Sequence, residues 1–113
     1  MKADIRENGV AVLSPKGSLV GGELLEDLKT TAHGLLAQGT RRLVLDLSGV
    51  DLVNSTGLGS LIGLHSSFRE QDGTVVLSGA DKKIRNLFVI TRLASVFPIV
   101  DTVDEAVAAA ASA

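Results

Sequence analysis

Two adjacent hydroxyls, Ser55 and Thr56, stand between an apolar run, Val50 to Val53, and an apolar helical stripe. Asn54 precedes them, and Gly57, Leu58 and Gly59 follow. Residues of these types at this spacing admit three kinds of chemistry. As a helix cap, the side-chain oxygen of Asn54 or Ser55 accepts a backbone N–H of the first turn. As a nucleophile, Ser55 needs a base and an orienting acid. His65 and Asp46 are of the right types, but His65 lies ten residues further along the same helix, about 15 Å at 1.5 Å per residue. Val53 also occupies the place of the first glycine in a Gly-x-Ser-x-Gly elbow. No catalytic residue is therefore assigned, and the chain is not expected to be an enzyme. As a phosphoryl acceptor the segment fits better. A helix start carries unpaired N–H groups and partial positive charge that favour an anion. Gly57 and Gly59 would leave room for another molecule's backbone to approach.

The remaining candidates are weaker. Gly17 to Gly22 is glycine-rich but lacks the Gly-Lys-[Ser/Thr] of a phosphate-binding loop and reads as a mobile connection. Asp4, Glu7, Asp46 and Asp51 lack calcium-loop spacing, so no metal is expected. Lys82, Lys83 and Arg85 form a small basic cluster at a helix start, most simply a solvated face. A net charge of -2 without a Lys/Arg run provides no footprint for nucleic acid. Absent cysteine excludes disulfides and thiolate metal sites. No apolar run nears the ~20 residues that span a bilayer, and the N-terminus lacks a signal-peptide core, so a cytoplasmic chain without membrane insertion is expected.

The elements that must position the hydroxyls follow from pattern. Asp4 to Glu7 and Val10 to Ser14 flank Asn8-Gly9, which predicts a hairpin with a type I′ turn and Ile5, Val10 and Val12 facing inward. Leu24, Leu25, Leu28, Ala32, Leu35 and Leu36 form a helical stripe from Glu23, closed by Gly39. Arg41 to Leu47 reads as a buried strand. Leu58, Leu61, Ile62, His65 and Phe68 mark the helix after the hydroxyls. Thr74 to Ser78 is a strand; Ile84, Leu87 and Phe88 mark a third helix capped by Asp81; Phe97 to Val100 is a last strand; Asp101 or Thr102 caps a final, fraying helix. The order β-β-α-β-α-β-α-β-α implies one α/β domain over residues 1–113. It has a core over 1–101, a C-terminal helix over 102–113, and one mixed sheet in which an antiparallel N-terminal hairpin joins parallel strands.

Asn54-Ser55-Thr56-Gly57-Leu58-Gly59, following Leu45-Asp46-Leu47 and Val50 to Val53, resembles the phosphorylation segment of bacterial anti-sigma factor antagonists, which are STAS-domain proteins with the usual pattern Asp-Ser-[Ser or Thr]-Gly-Leu-Gly. Gly17-Ser18-Leu19, Val75-Val76-Leu77 and Ile84 to Phe88 extend the likeness over nearly the whole chain. The resemblance implies a STAS-like fold and a partner switch. The unphosphorylated form binds an anti-sigma factor that is also a serine kinase, the kinase phosphorylates the motif serine (here Ser55, with Thr56 the second candidate), and a PP2C-type phosphatase resets it. Asn54, Thr56, Gly57, Leu58 and Gly59 would form the partner surface. ATP belongs to the kinase, so the chain needs no cofactor of its own. A homodimer stays open. Two family acids are replaced, by Asn54 and by Val20. Some lone STAS domains instead serve as unphosphorylated scaffold subunits of a phospholipid ABC transporter or a stress-signalling assembly, and that reading stands as the alternative.

Overall fold

A computed structural model describes residues 1–112. The elements are β1 (Asp4–Ile5), β2 (Ala11–Leu13), β3 (Gly17–Leu19), α1 (Glu23–Ala37), β4 (Arg42–Asp46), β5 (Val50–Val53), α2 (Ser55–Glu70), β6 (Thr74–Ser78), α3 (Lys82–Ile90), β7 (Ile99–Val100) and α4 (Val103–Ala111), with a short 3-10 turn at Leu93–Ser95. Five strands form the main sheet in the order β1-β2-β4-β6-β7. β1 runs antiparallel to β2, and the others pair in parallel.

Residue parity along the strands sorts the core onto two faces. Ala11, Leu13, Leu43, Leu45, Val75 and Leu77 point to the side covered by α1, α2 and α3, where Leu25, Leu28, Leu61, Leu64, Phe68, Ile84 and Phe88 meet them. Val10, Val12, Val44 and Val76 point to the other side, which α4 covers with Ala106 and Ala110. Small alanines let α4 lie close on this valine face. Both are fully buried, and the helix runs to Ala111; the expected frayed end reaches Ala113, which lies outside the described residues. Among the described residues no helix is long and apolar enough to cross a membrane.

Four expectations are corrected. Ile5 is 56% exposed, because β1 is a two-residue edge strand whose side chains both face solvent. The hairpin turn is not type I′, since Gly9 has positive φ while Asn8 does not. The Gly9 amide instead donates to Arg6 O, a four-residue turn with Gly9 in the left-handed position. Gly17–Leu19 is a strand rather than a mobile connection, and it pairs in parallel with β5, whose residues the sequence pattern leaves in a loop. These two short strands form a separate two-stranded sheet. In α2, Leu64 is buried in place of Ile62, which is exposed.

His65 sits where α2 meets the segment before β7. Its ring lies 5.1 Å from that of Phe97, which packs edge-on against Phe88. Its Nδ1 is buried without a hydrogen-bond partner among the described residues. Burial first, and the Arg69 charge second, hold its pKa below the ordinary 6.5. The native imidazole is therefore neutral where the unfolded one already takes a proton, so this part of the stability is complete above pH 6.5 and fades as the pH falls through the folded value. The urea midpoint of the protein should drop between pH 7.5 and 5.5, and by visibly less in His65→Gln; equal drops would show that His65 is not the titrating group.

Candidate functional site

The first turn of α2 is built against β3. Leu19, fully buried at the end of β3, offers its carbonyl to the Asn54 amide at 3.3 Å. A side-chain carbon on Gly57 would lie 1.9 Å from that same oxygen, well inside contact distance. Glycine at 57 is thus required by the chain's own packing, which corrects the expectation that it leaves space for a partner. Gly59 is different. It is exposed, and a Cβ there would meet nothing within 4 Å.

Asn54 is the N-cap. Its Oδ1 accepts the Gly57 amide at 3.0 Å, and its carbonyl accepts the Leu58 amide at 2.8 Å. Its Nδ2 donates to the carbonyl of Val20 at 3.2 Å. An asparagine at this place therefore ties the start of α2 to the strand-helix connection after β3, a bond that a carboxylate cannot donate. The two positions where the chain departs from the acidic pattern meet in this one contact.

With Asn54 as cap, Ser55 is the first helical residue. Ser55 and Thr56 are both exposed, and their amides have no intrahelical acceptor. Leu58 is half-buried against the core. Of the two nearby acids, Asp51 accepts the Ser18 hydroxyl at 2.7 Å on the β3–β5 pair. Asp46 instead accepts from Ser48 N and Ser14 Oγ at the end of β4. The Ser55, His65 and Asp46 types are not brought together: His65 packs on Phe97 and Asp46 is held by serines. The basic cluster divides too, with Arg85 bonded to Asp101 at 2.6 Å while Lys82 and Lys83 face solvent.

Sequence reasoning missed the groove beside the hydroxyls. Lys29 and His33 of α1 and Ser55, Gly59, Gly63 and Ser67 of α2 line a cavity of about 360 Å³. The four α2 residues recur every fourth position, so they share one helix face. That spacing was available in the sequence, but small residues carry no hydrophobic signal. Apolar Val20 and Leu52, 37% and 45% exposed, flank the acceptor segment.

Residues 4–106 match the STAS domain family. The anti-sigma-B factor antagonist of Staphylococcus aureus is 32% identical over 78 residues, covering 66% of this chain and 72% of that one. A Thermotoga maritima chain, TM1081, ascribed to the anti-sigma factor antagonists, superposes with a TM-score of 0.86 at 24% identity, over 96% of this chain and 92% of that one. The Bacillus cell-fate determinant SpoIIAA in its phosphorylated form superposes at 0.75 with 17% identity, over 94% and 95%. The last two likenesses concern the fold.

The two glycines separate packing from access. Gly57→Ala should destabilise the protein by about 3 kcal/mol, because backbone rather than a flexible side chain blocks the new methyl. Gly59→Ala should stabilise it by up to about 1 kcal/mol through helix propensity. Asn54→Ala should cost about 1–2 kcal/mol through the lost cap. Urea unfolding followed by circular dichroism measures all three, and equal effects of the two alanines would contradict the assigned close contact.

Proposed function

The chain belongs to the STAS domain family and is related within it to anti-sigma factor antagonists, and from that premise we propose that it is such an antagonist, switched by phosphorylation of Ser55. The observation that carries this reading is the exposure of Ser55 at the first position of α2, next to the Asn54 cap and beside the open Gly59. In the unphosphorylated state the small residues of that turn and the apolar Val20 and Leu52 provide a surface on which an anti-sigma factor docks. The docked partner is a serine kinase that holds ATP, so this chain requires no cofactor of its own. The Ser55 oxygen attacks the γ-phosphorus, the bond to ADP breaks, and the hydroxyl proton passes to a base of the kinase. A PP2C-type phosphatase then returns the chain to its binding form. A cytoplasmic location follows from these partners.

Charge supplies the switch. A phosphoserine adds about -1.5 to -2 charges. Each unit placed about 5 Å from a like charge within an interface costs roughly 3 kcal/mol at an effective dielectric near 20. That corresponds to a loss of affinity on the order of a hundredfold. Thr56, one residue further into the helix and also exposed, is the second candidate acceptor.

Incubation with ATP and the cognate kinase should add one phosphate to the wild-type chain by intact mass, and none to Ser55→Ala. Ser55→Ala should keep its affinity for the kinase, whereas Ser55→Asp should weaken it by at least about tenfold in calorimetry. Unchanged affinity in Ser55→Asp would rule out the charge switch. No mass gain, together with co-purification on a transporter ATPase, would favour the scaffold alternative, to which the exposed apolar pair Val89 and Ile90 on α3 would lend a docking surface.

A further inference from the structure

The groove between α1 and α2 gives the acceptor hydroxyl a neighbour that the switch described above does not use. α1 and α2 lie side by side and run in the same sense. Gly21, just before α1, lies near the Thr56 methyl at one end. The His33 ring nitrogen lies 3.4 Å from Ser67 Oγ further along. Lys29, one turn before His33, lines the same cavity as Ser55. Helical side chains lean toward the helix N-terminus, so Lys29 leans toward the end where Ser55 sits. There its ammonium pairs with Glu26 Oε1 at 3.4 Å. From α2 only short side chains, Thr56 and Ser60, rise beside them, and Gly59 and Gly63 have open space where side chains would be.

We propose that a phosphoryl group on Ser55 draws Lys29 away from Glu26 and pairs with it across the α1–α2 groove, so that Lys29 is a positioning residue for the phosphorylated state. This inference rests on the reading of Ser55 as the acceptor. A dianionic phosphate competes well for the ammonium against a single carboxylate that is 69% exposed and held at the long end of pairing distance. The exchange has a second consequence. Glu26, released, adds an uncompensated carboxylate to the α1 edge of the same face, so one covalent event changes the charge at two places. Glu23 and Glu26 in the first turn of α1 and Asp51 on β5 are the acids of this region. Lys29 is the cation that shares the cavity with Ser55. His33 stands opposite Ser67, about 18 Å along α2 from Ser55, beyond a Debye length of roughly 8 Å at physiological salt.

The test needs no kinase. Phosphoserine is placed at position 55 by genetic-code expansion, and its second ionisation, near pH 6 in an unperturbed peptide, is followed by phosphorus NMR at physiological salt. Relative to wild type, Lys29→Gln should raise the midpoint by roughly half a pH unit, as expected for one unit charge at groove distance in a mostly aqueous path. Lys29→Arg should restore it, and Glu26→Gln, which removes the competing acid, should lower it. Arg69→Gln removes the same charge about 21 Å down α2 and should leave the midpoint in place. Coincident titrations of wild type and Lys29→Gln, or an equal shift in Arg69→Gln, would overturn the pairing. A kinase that ignores Ser55 would overturn the switch reading instead, and the two failures are read from different experiments.

Discussion

Everything at the candidate site depends on one contact, the seating of the first turn of α2 on the carbonyl of Leu19. That oxygen accepts the Asn54 amide and leaves no space for a side chain at Gly57. Because the strand end is buried and the helix start is bonded to it, the rotation of α2 about its axis is fixed. Gly57 faces in, and Ser55, two residues earlier, faces out. A helix that could roll by about half a turn would bury the hydroxyl and expose the glycine. The exposure of Ser55 is therefore a property of β3 and its pairing with β5 as much as of α2 itself.

The main sheet serves this contact by being indifferent to it. Its two faces are separated by strand parity, with mostly leucines toward α1, α2 and α3 and valines toward the alanine face of α4. α2 is anchored by Leu61, Leu64 and Phe68, all essentially excluded from solvent, toward its middle and C-terminal end. The opposite end of the α1–α2 pair is finished by Arg41, which donates to the carbonyls of Leu36 in the last turn of α1 and of Thr40 just beyond it. These anchors lie away from the exposed side of the first turn, where Ser55 and Thr56 face solvent. That turn can gain a charge without disturbing the packing that holds the fold.

The long periodic elements were legible in the sequence because burial imposes a period there. α1, α2, α3, β4 and β6 were placed to within a residue or so, and Asp81 and the Thr102 alternative were recognised as caps. β3 and β5 were not recognised. Each is only three or four residues long, and Gly17 and Ser18 carry no strand signal of their own; their pairing is fixed by Leu19 and Val53, a long-range contact with no local trace. The same limit explains Gly57. A glycine beside a hydroxyl motif reads as room for a visitor, whereas the space is filled by the protein's own backbone. In the sequence Asn54 is a candidate cap and a missing acid, whereas the bond from its Nδ2 to the Val20 carbonyl is a long-range contact with no local trace. The α1–α2 groove escaped for a related reason, since Ser55, Gly59, Gly63 and Ser67 share a face but leave no hydrophobic mark.

Under the proposed switch, the sign of the electrostatics at this turn differs between the chain and its partner, and that difference would suit a serine here to switching. Within the chain, a phosphate at the start of α2 meets the positive end of the helix and the first-turn amides, a gain of about 0.3–1 kcal/mol where solvent-exposed. A negative group brought against it by a partner meets repulsion of roughly 3 kcal/mol per unit charge at 5 Å. An acidic cap in place of Asn54 would already neutralise part of the helix dipole and would repel the incoming phosphate. The neutral amide caps the helix without doing either, and its second hydrogen-bonding arm holds the turn to the connection after β3. The substitution thus leaves the folded chain tolerant of a charge that an interface is not, which is the asymmetry that a modification needs if it is to break an association and spare the protein.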